Sequence, residues 1–567
     1  MNCFVLPCVL LTLTLNAPLI GFADEAQDAN QLYGDAHVTK IEITIDEEAW
    51  NSLRLQKREF IEGMLAPAEK PFDTFRADLR IDGIEIKEVG IRKKGFFGSL
   101  DDDFPSLRIK LYEYVDQKPL GDIKRLTLNN NKQDTTLLSQ YMAYQFFNRV
   151  GVQAPRVGFA TVFVNDKHLG VYSVVEPIDK VLLKSRFGDN RGDLWEGTLT
   201  DFSAKSLERL EWKSGQNESM VDWKTARLAE LLQNENVSPA ELDSLVDLEQ
   251  FYLFWAGESL LAFWDGYCNN QNNYFVYDNP KSDKLLFMPW GADSLWSSML
   301  GPMGGFTKPI ESVYTNSLLP HRLFRNDEGR ERYRQVLQKM LDEHWNEEEL
   351  KEQVDTLAKL VEPHLHKRQL GAATAQKGMK RFIESRKMRV LKDLENWPIK
   401  TQENPRPPMY SKETGQASGS FSTFWERAPK GSQSTGTLTI QNGGETIEIS
   451  DLKVSSRRFS MGMFGGPSAT SPAMVELVGK TQDDKTATLT LNIDREDFEQ
   501  SEPAKVTVSG SFSRGGNSFQ GPFSGGDMRW IKGTCQLEES SMKAGAPVRG
   551  SFEVTLLEIK GGFFARP

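Results

Sequence analysis

The hydrophobic period of this chain changes twice along its length, and no single layer of secondary structure satisfies all three stretches. Between residues 37 and 175 apolar positions mostly alternate, as Ile41, Ile43 and Ile45 do against Glu42 and Thr44, which is the pattern of half-buried strands. From about residue 178 the repeat becomes three to four, the spacing of one helix face. Residues 401–436 are rich in Pro, Ser, Gly and Thr, include Asn404-Pro405-Arg406-Pro407-Pro408, and read as a linker. Beyond them, residues 437–567 return to short alternating segments parted by Gly, Ser and Asp. The order predicts a two-lobed α+β unit over residues 35–400 and a small all-β domain, sandwich or barrel, over 437–567.

In the first unit the pattern predicts strands over 37–45, 74–81, 84–93, 106–112 and 125–128, a helix over 136–150, and a hairpin turning at Asn165-Asp166. Helices are predicted over 222–233, 238–246, 248–263, 347–361 and 373–396, interrupted by one hairpin, 273–277 with 284–289. Two Gly-rich stretches, 464–466 and 524–526, read as loops because neither leads into a helix.

Residues 1–23 contain no Lys or Arg, are largely apolar and end Gly21-Phe22-Ala23, which reads as a secretory signal peptide despite the missing basic start. No other stretch reaches about 18 uncharged apolar residues, so no transmembrane segment is expected in the mature chain. The expectation is an exported protein, secreted, periplasmic or at the cell surface. Cys3 and Cys8 leave with the signal, and Cys268 and Cys535 read as two separate thiols, with a single disulfide between them as the alternative in an oxidising compartment.

With 68 Lys and Arg against 79 Asp and Glu, the formal charge is −11, which argues against a general attraction for nucleic acid. Six histidines without an HExxH or CxxC motif argue against a zinc enzyme. A metal here is expected to be a hard ion held by oxygen. The densest polar constellation runs through Asp265, Asn269, Asn270, Gln271, Asn272 and Asn273 into a strand whose partner leads to Asp293. Phosphoryl transfer from ATP needs such a set, with one Asp for the acceptor hydroxyl and an Asp plus an Asn for Mg²⁺. Asp265 and Asn270 are spaced as the base and metal-binding Asn of the HRDxxxxN loop. Taken alone, the same residues also read as an amide-rich turn and a helix cap.

Distributed motifs bear on that choice. Gly90-Ile91-Arg92-Lys93-Lys94-Gly95, Ser106-Leu107-Arg108-Ile109-Lys110-Leu111, Leu128-Asn129-Asn130-Asn131-Lys132-Gln133-Asp134, His168-Leu169-Gly170-Val171-Tyr172 running on to Glu176-Pro177-Ile178-Asp179-Lys180, and the 265–293 region follow in order. Together they resemble the CotH kinase family, atypical kinases related to spore-coat protein H, over roughly residues 37–400. The resemblance implies a protein-kinase-like fold that transfers phosphate from ATP, with Mg²⁺ or Mn²⁺, to Ser or Thr of an unidentified protein acceptor. By position, Asp265 resembles the catalytic base, Asn270 or Asn273 a metal ligand, and Asp293 the metal-binding Asp. Lys110 resembles the strand lysine that pairs the ATP phosphates, with Arg108 as its rival on the same face. Glu176 resembles the acidic residue where the lobes meet, and Arg92 and Lys94 are further phosphate contacts.

Two departures support an alternative reading, a weak or inactive kinase-fold scaffold of a surface or coat. Gly291 stands where the family usually has the first Asp of Pro-Trp-Asp-x-Asp, and Ser139-Gln140 stand where it commonly has Arg-Glu. A glycoside hydrolase using Asp265 and Asp293 is a third reading, which needs a defined carboxylate separation.

Overall fold

A computed structural model describes residues 31–57, 71–96, 98–216, 223–297, 310–407, 409–459, 472–499, 502–515 and 527–561. The segment read as a signal peptide and both Gly-rich stretches lie outside the described residues.

Alternation becomes a closed barrel in the first part of the chain. Its strands are β1 (Val38–Thr44), β2 (Phe75–Ile81), β3 (Ile84–Lys94), β4 (Ser106–Lys110), β5 (Arg125–Asn129), β6 (Val157–Val164) and β7 (Lys167–Val175). They close in the order β1-β2-β3-β4-β5-β7-β6, with β1 parallel to β6. Strand period two turns Ile41, Leu79, Ile91, Ile109, Leu126, Val162 and Val174 into one core. The same period leaves Arg92, Lys94, Arg108 and Lys110 on the outer face, with Arg92 opposite Arg108 in the ladder. The β6–β7 turn falls at Asn165 and Asp166, both at positive φ, as a two-residue hairpin turn requires.

The helix Ser139–Arg149 follows β5 and is buried along most of its length, among the residues of a second and larger core. That core is built mainly from the helices Leu248–Leu260, Asp327–Glu343, Glu347–Val361 and Ala372–Leu394. It also packs a four-stranded sheet in the order β11-β10-β8-β9, formed by β8 (Leu194–Gly197), β9 (Leu210–Ser214), β10 (Tyr274–Asn279) and β11 (Lys284–Pro289). The predicted hairpin is β10–β11. The periodicity gave no sign of β8 and β9, whose pairing depends on long-range register such as Trp195 opposite Val276. Leu248–Leu260 is buried on almost every side, so it is the central helix of this unit.

The third unit settles the choice between sandwich and barrel. β12 (Tyr410–Phe424), β13 (Thr435–Asn442), β14 (Glu445–Arg458), β15 (Ala473–Thr481), β16 (Thr486–Ile493), β17 (Ala504–Arg514), β18 (Asp527–Glu539) and β19 (Pro547–Lys560) form an up-and-down antiparallel barrel. It closes by pairing β12 with β19, Ala417 opposite Val554. β12 therefore occupies part of the stretch read as linker. Its Ser, Thr and Gly residues hide the pattern, and Ala417, Phe421 and Thr423 are the positions that turn inward.

Cys268 and Cys535 are free, buried and in different cores, as two separate thiols should be. Among the described residues no helix is long and apolar enough to cross a membrane.

One buried cation ties the helical unit together. Arg386, 1% exposed, donates to Leu260 O at 2.8 Å and Ser259 O at 2.5 Å, and pairs with Glu311. Truncation removes the side-chain donor to Leu260 O and leaves Glu311, which Arg389 also contacts at 3.1 Å, without its buried partner. Arg386→Ala is expected to lower unfolding free energy by about 3–5 kcal/mol, read from denaturant titration.

Candidate functional site

The site is assembled where the central helix ends. Leu248–Leu260 carries Glu258 in an apolar surrounding, and the carboxyl accepts the Tyr267 N–H at 2.9 Å and the Cys268 N–H at 2.7 Å. Burial pushes Glu258 up to about 8 against the pull of those amides. A Cβ on Gly266 would lie 2.4 Å from Glu258 Oε1, so glycine lets the loop close over the acid. A second buried acid, Asp201, takes the Tyr267 hydroxyl and Gln271 Nε2, each at 2.9 Å, and the Leu318 N–H at 2.8 Å. Burial raises Asp201 as well. Neither acid is a residue that the sequence motifs single out. For Glu258 the available signal is an acid near the end of a largely apolar helix, which is rarely buried without a task; Asp201 lies between β8 and β9 and carries no such signal.

This support holds Asp265 within a cage of amides. Asn270 Nδ2 donates to Asp265 Oδ1 at 2.5 Å, Asn272 Nδ2 to the same oxygen at 3.1 Å, and Asn273 Nδ2 to Oδ2 at 2.9 Å. Burial raises the Asp265 carboxyl, while the amides and the Arg406 charge favour its ionised form. The amide run is therefore more than a turn, because three of its side chains converge on one carboxylate.

Asp293 stands beside this cage. Trp264 Nε1 donates to Ser294 Oγ at 3.1 Å, and the Trp290 N–H to Asn273 O at 3.0 Å, clasping the two loops on either side of the carboxylates. Gly291 has φ +55°, and a Cβ there would lie 2.5 Å from Asn273 Oδ1. The Asn273 amide thus fills the place from which a side chain at position 291 would start. Burial, then the charges of Asp265 and Asp134, push Asp293 up to about 7, with Lys94 opposing. Asp134 itself is buried, capping the turn into Ser139–Arg149 through the N–H groups of Thr136, Leu137 and Ser139.

The cation facing Asp293 is Lys94, from the outer face of the first barrel. Lys94 Nζ donates to Asn129 Oδ1 at 2.5 Å, and Asn129 Nδ2 donates to Gln140 Oε1 at 2.8 Å. Gln140 is thus linked to the strand lysine through an amide instead of pairing with it directly. Burial, then the Arg108 charge, pushes Lys94 down to about 8. Lys110 lies elsewhere, held by Glu113 Oε2 at 2.6 Å and set over the Tyr112 ring. It sits opposite Gly90, four positions along β3 from Lys94 or roughly 13 Å. Position on the correct face is shared by both lysines, and distance along the strand separates them.

Arg92 and Arg108 lie half-buried near Arg125, and burial with mutual repulsion lowers both. Glu196 and Glu211 of the four-stranded sheet, with Asp179, offset the charge on Arg108. Glu176 is taken up at the junction by Arg156 at 2.7 Å and Arg186 at 3.4 Å, so its carboxylate holds the structure together there. The geometry brings Asp265, Asn270, Asn273 and Asp293 together, adds Lys94, places Arg92 in the adjoining basic cluster, and leaves Lys110 and Glu176 apart. Among the described residues no group of three His, Cys, Asp or Glu side chains is arranged to hold a metal by itself.

The CotH kinase protein family matches residues 91–392, so the match covers most of the first barrel and the helical unit and ends before the second barrel. Inner spore coat protein H of Bacillus subtilis (strain 168) is 22% identical over 271 residues, covering 46% of this chain and 72% of that protein. Invasin CotH3 of Rhizopus delemar is 19% identical over 269 residues, covering 43% of this chain and 45% of the invasin. A second Bacillus subtilis protein, inner spore coat protein H-like protein, is 24% identical over 187 residues, 32% of this chain and 52% of its own length.

The charge balance gives a testable pH dependence. In the metal-free protein Asp293 titrates near 7 when folded against 3.8 unfolded, so the folded state holds the extra proton between those values. The associated stability is present below the unfolded value and is lost as pH rises through about 7. Asp293→Asn is expected to melt close to wild type at acid pH and above it by several degrees at alkaline pH, read by thermal melts without divalent ions.

Proposed function

This chain belongs to the CotH kinase protein family, and on that premise we propose that it transfers the γ-phosphate of ATP to a Ser or Thr hydroxyl of an exported or surface protein. The first barrel and the helical unit are read as the two lobes of a kinase-like domain, with nucleotide between them. The observation that carries the reading is the caged Asp265 beside Asp293 and Lys94. One carboxylate is held by three amides, and a second is pushed toward neutrality by burial and then by the charges of Asp265 and Asp134.

An oxygen donor set with surplus negative charge fits Mg²⁺ or Mn²⁺. Asp293 and Asn273 would hold the ion, which supplies charge neutralisation on the transferring phosphate. Lys94 and the Arg92 and Arg108 cluster bind and orient the phosphates. Asp265 orients the acceptor hydroxyl and takes its proton as the new oxygen–phosphorus bond forms. The bond to the ADP oxygen breaks, and ADP leaves with that electron pair. The second barrel, beyond the family match, is read as an accessory domain that docks a partner or surface.

The scaffold reading keeps the same fold and removes turnover. It draws on Gly291, where the side chain space is taken by Asn273, and on the neutral Gln140 behind Lys94.

Transfer of labelled phosphate from ATP to the protein itself and to casein separates the readings. Asp265→Asn and Asp293→Ala are each expected to lower the rate by roughly 10²-fold or more in protein that circular dichroism shows to be folded. Retained activity in either variant removes that residue from the mechanism. Lys94→Ala is expected to weaken nucleotide binding by about tenfold or more, while Lys110→Ala stays within about twofold. Nucleotide binding by wild type without any transfer favours the scaffold.

A further inference from the structure

Asn270 and Asn273 both donate to Asp265, but their amide oxygens meet different surroundings. Asn273 Oδ1 faces Gly291 in the turn before Asp293. Asn270 Oδ1 accepts Arg406 Nη1 at 2.7 Å. Arg406 comes from the Pro-rich segment just before β12, and that segment is fastened along its length. The Arg406 N–H donates to Asn316 O at 2.7 Å, and its carbonyl accepts Gln271 Nε2 at 3.0 Å. Glu403 O meets His321 Nε2 at 3.0 Å, and the carbonyl of Met409, 1% exposed, accepts from Arg209 at 3.1 Å. Pro405 and Pro407 flank the arginine and restrict the backbone on both sides. The guanidinium acts electrostatically on Asp265 of the loop and on Asp201 beneath it.

We propose that Arg406 supplies a fixed positive charge at Asn270, in the place where a second divalent ion would otherwise bind, leaving a single ion to Asn273 and Asp293. The inference rests on the nucleotide and metal reading above and deepens it. In ATP-dependent kinases two ions share this work, one of them on the catalytic-loop Asn. Here the amide oxygen of Asn270 is already committed to a cation that the chain carries. A guanidinium repels an incoming ion, and it reaches the site on the segment that leads into the second barrel. Arg406 is therefore a positioning residue that joins the second barrel to the loop.

The test counts Mn²⁺ by electron paramagnetic resonance on the full chain with a non-hydrolysable ATP analogue. Wild type and Arg406→Lys are expected to bind a single Mn²⁺. Arg406→Gln is expected to admit a second, weaker Mn²⁺, which disappears again in Arg406→Gln with Asn270→Ala. A purely structural role for Arg406 would lower affinity without changing the count. Two ions in wild type, or one in a folded Arg406→Gln, would overturn the proposal while leaving the nucleotide site standing. Absence of both Mn²⁺ and analogue binding in folded wild type would overturn the functional reading and this inference with it. Should Arg406→Gln fail to fold, the single substitutions decide: Asn270→Ala keeps the ion and Asn273→Ala loses it. The reverse pattern contradicts the assignment.

Discussion

Two acids buried under the loop 265–273, Glu258 and Asp201, are what the rest of the site depends on. Each accepts backbone or side-chain donors of that loop, so N–H groups that leave the central helix do not end unpaired in an apolar core. The cost is two carboxyls pushed up by burial. The gain is a loop whose three Asn side chains keep one orientation around Asp265. Preorganisation of this kind lets hydrogen bonds act on a reacting group without rearrangement.

The second constraint is charge. The outer face of the first barrel presents Lys94, Arg92 and Arg108, and the helical unit presents Asp293, Glu196 and Asp179. Inside a poorly solvated junction such charges act more strongly than at a surface. Each side lowers the electrostatic cost of the other, and the surplus of acid around Asp293 leaves room for a hard cation. The Lys94–Asn129–Gln140 chain shows how a strand lysine is steadied without a direct carboxylate partner.

Much of this was legible in the sequence, for reasons that differ by residue. Asp265, Asn270 and Asn273 lie close together in the chain, and the hairpin β10–β11 delivers Asp293 to them, so spacing and one local pairing were enough. Ladder alternation placed Lys94 and Lys110 on one face but carried no information about which end of the strand meets the carboxylates. That depends on closure of the barrel against the helices. β8 and β9 are short; β8 gains its register from β10, a contact no local window contains, and β9 pairs with β8. Arg406 was concealed by its setting, since a Pro-rich stretch reads as a spacer whether or not it is fastened to the protein. β12 was concealed by composition, its small polar residues being compatible with both a loop and a barrel strand.

The most direct measurement is calorimetric titration of the full chain with ATP, with and without Mg²⁺ or Mn²⁺, beside the Asp293→Ala variant. ATP binding is expected to strengthen when metal is added, with the metal-dependent gain absent in Asp293→Ala. A folded wild-type protein that binds no ATP with either metal would contradict it.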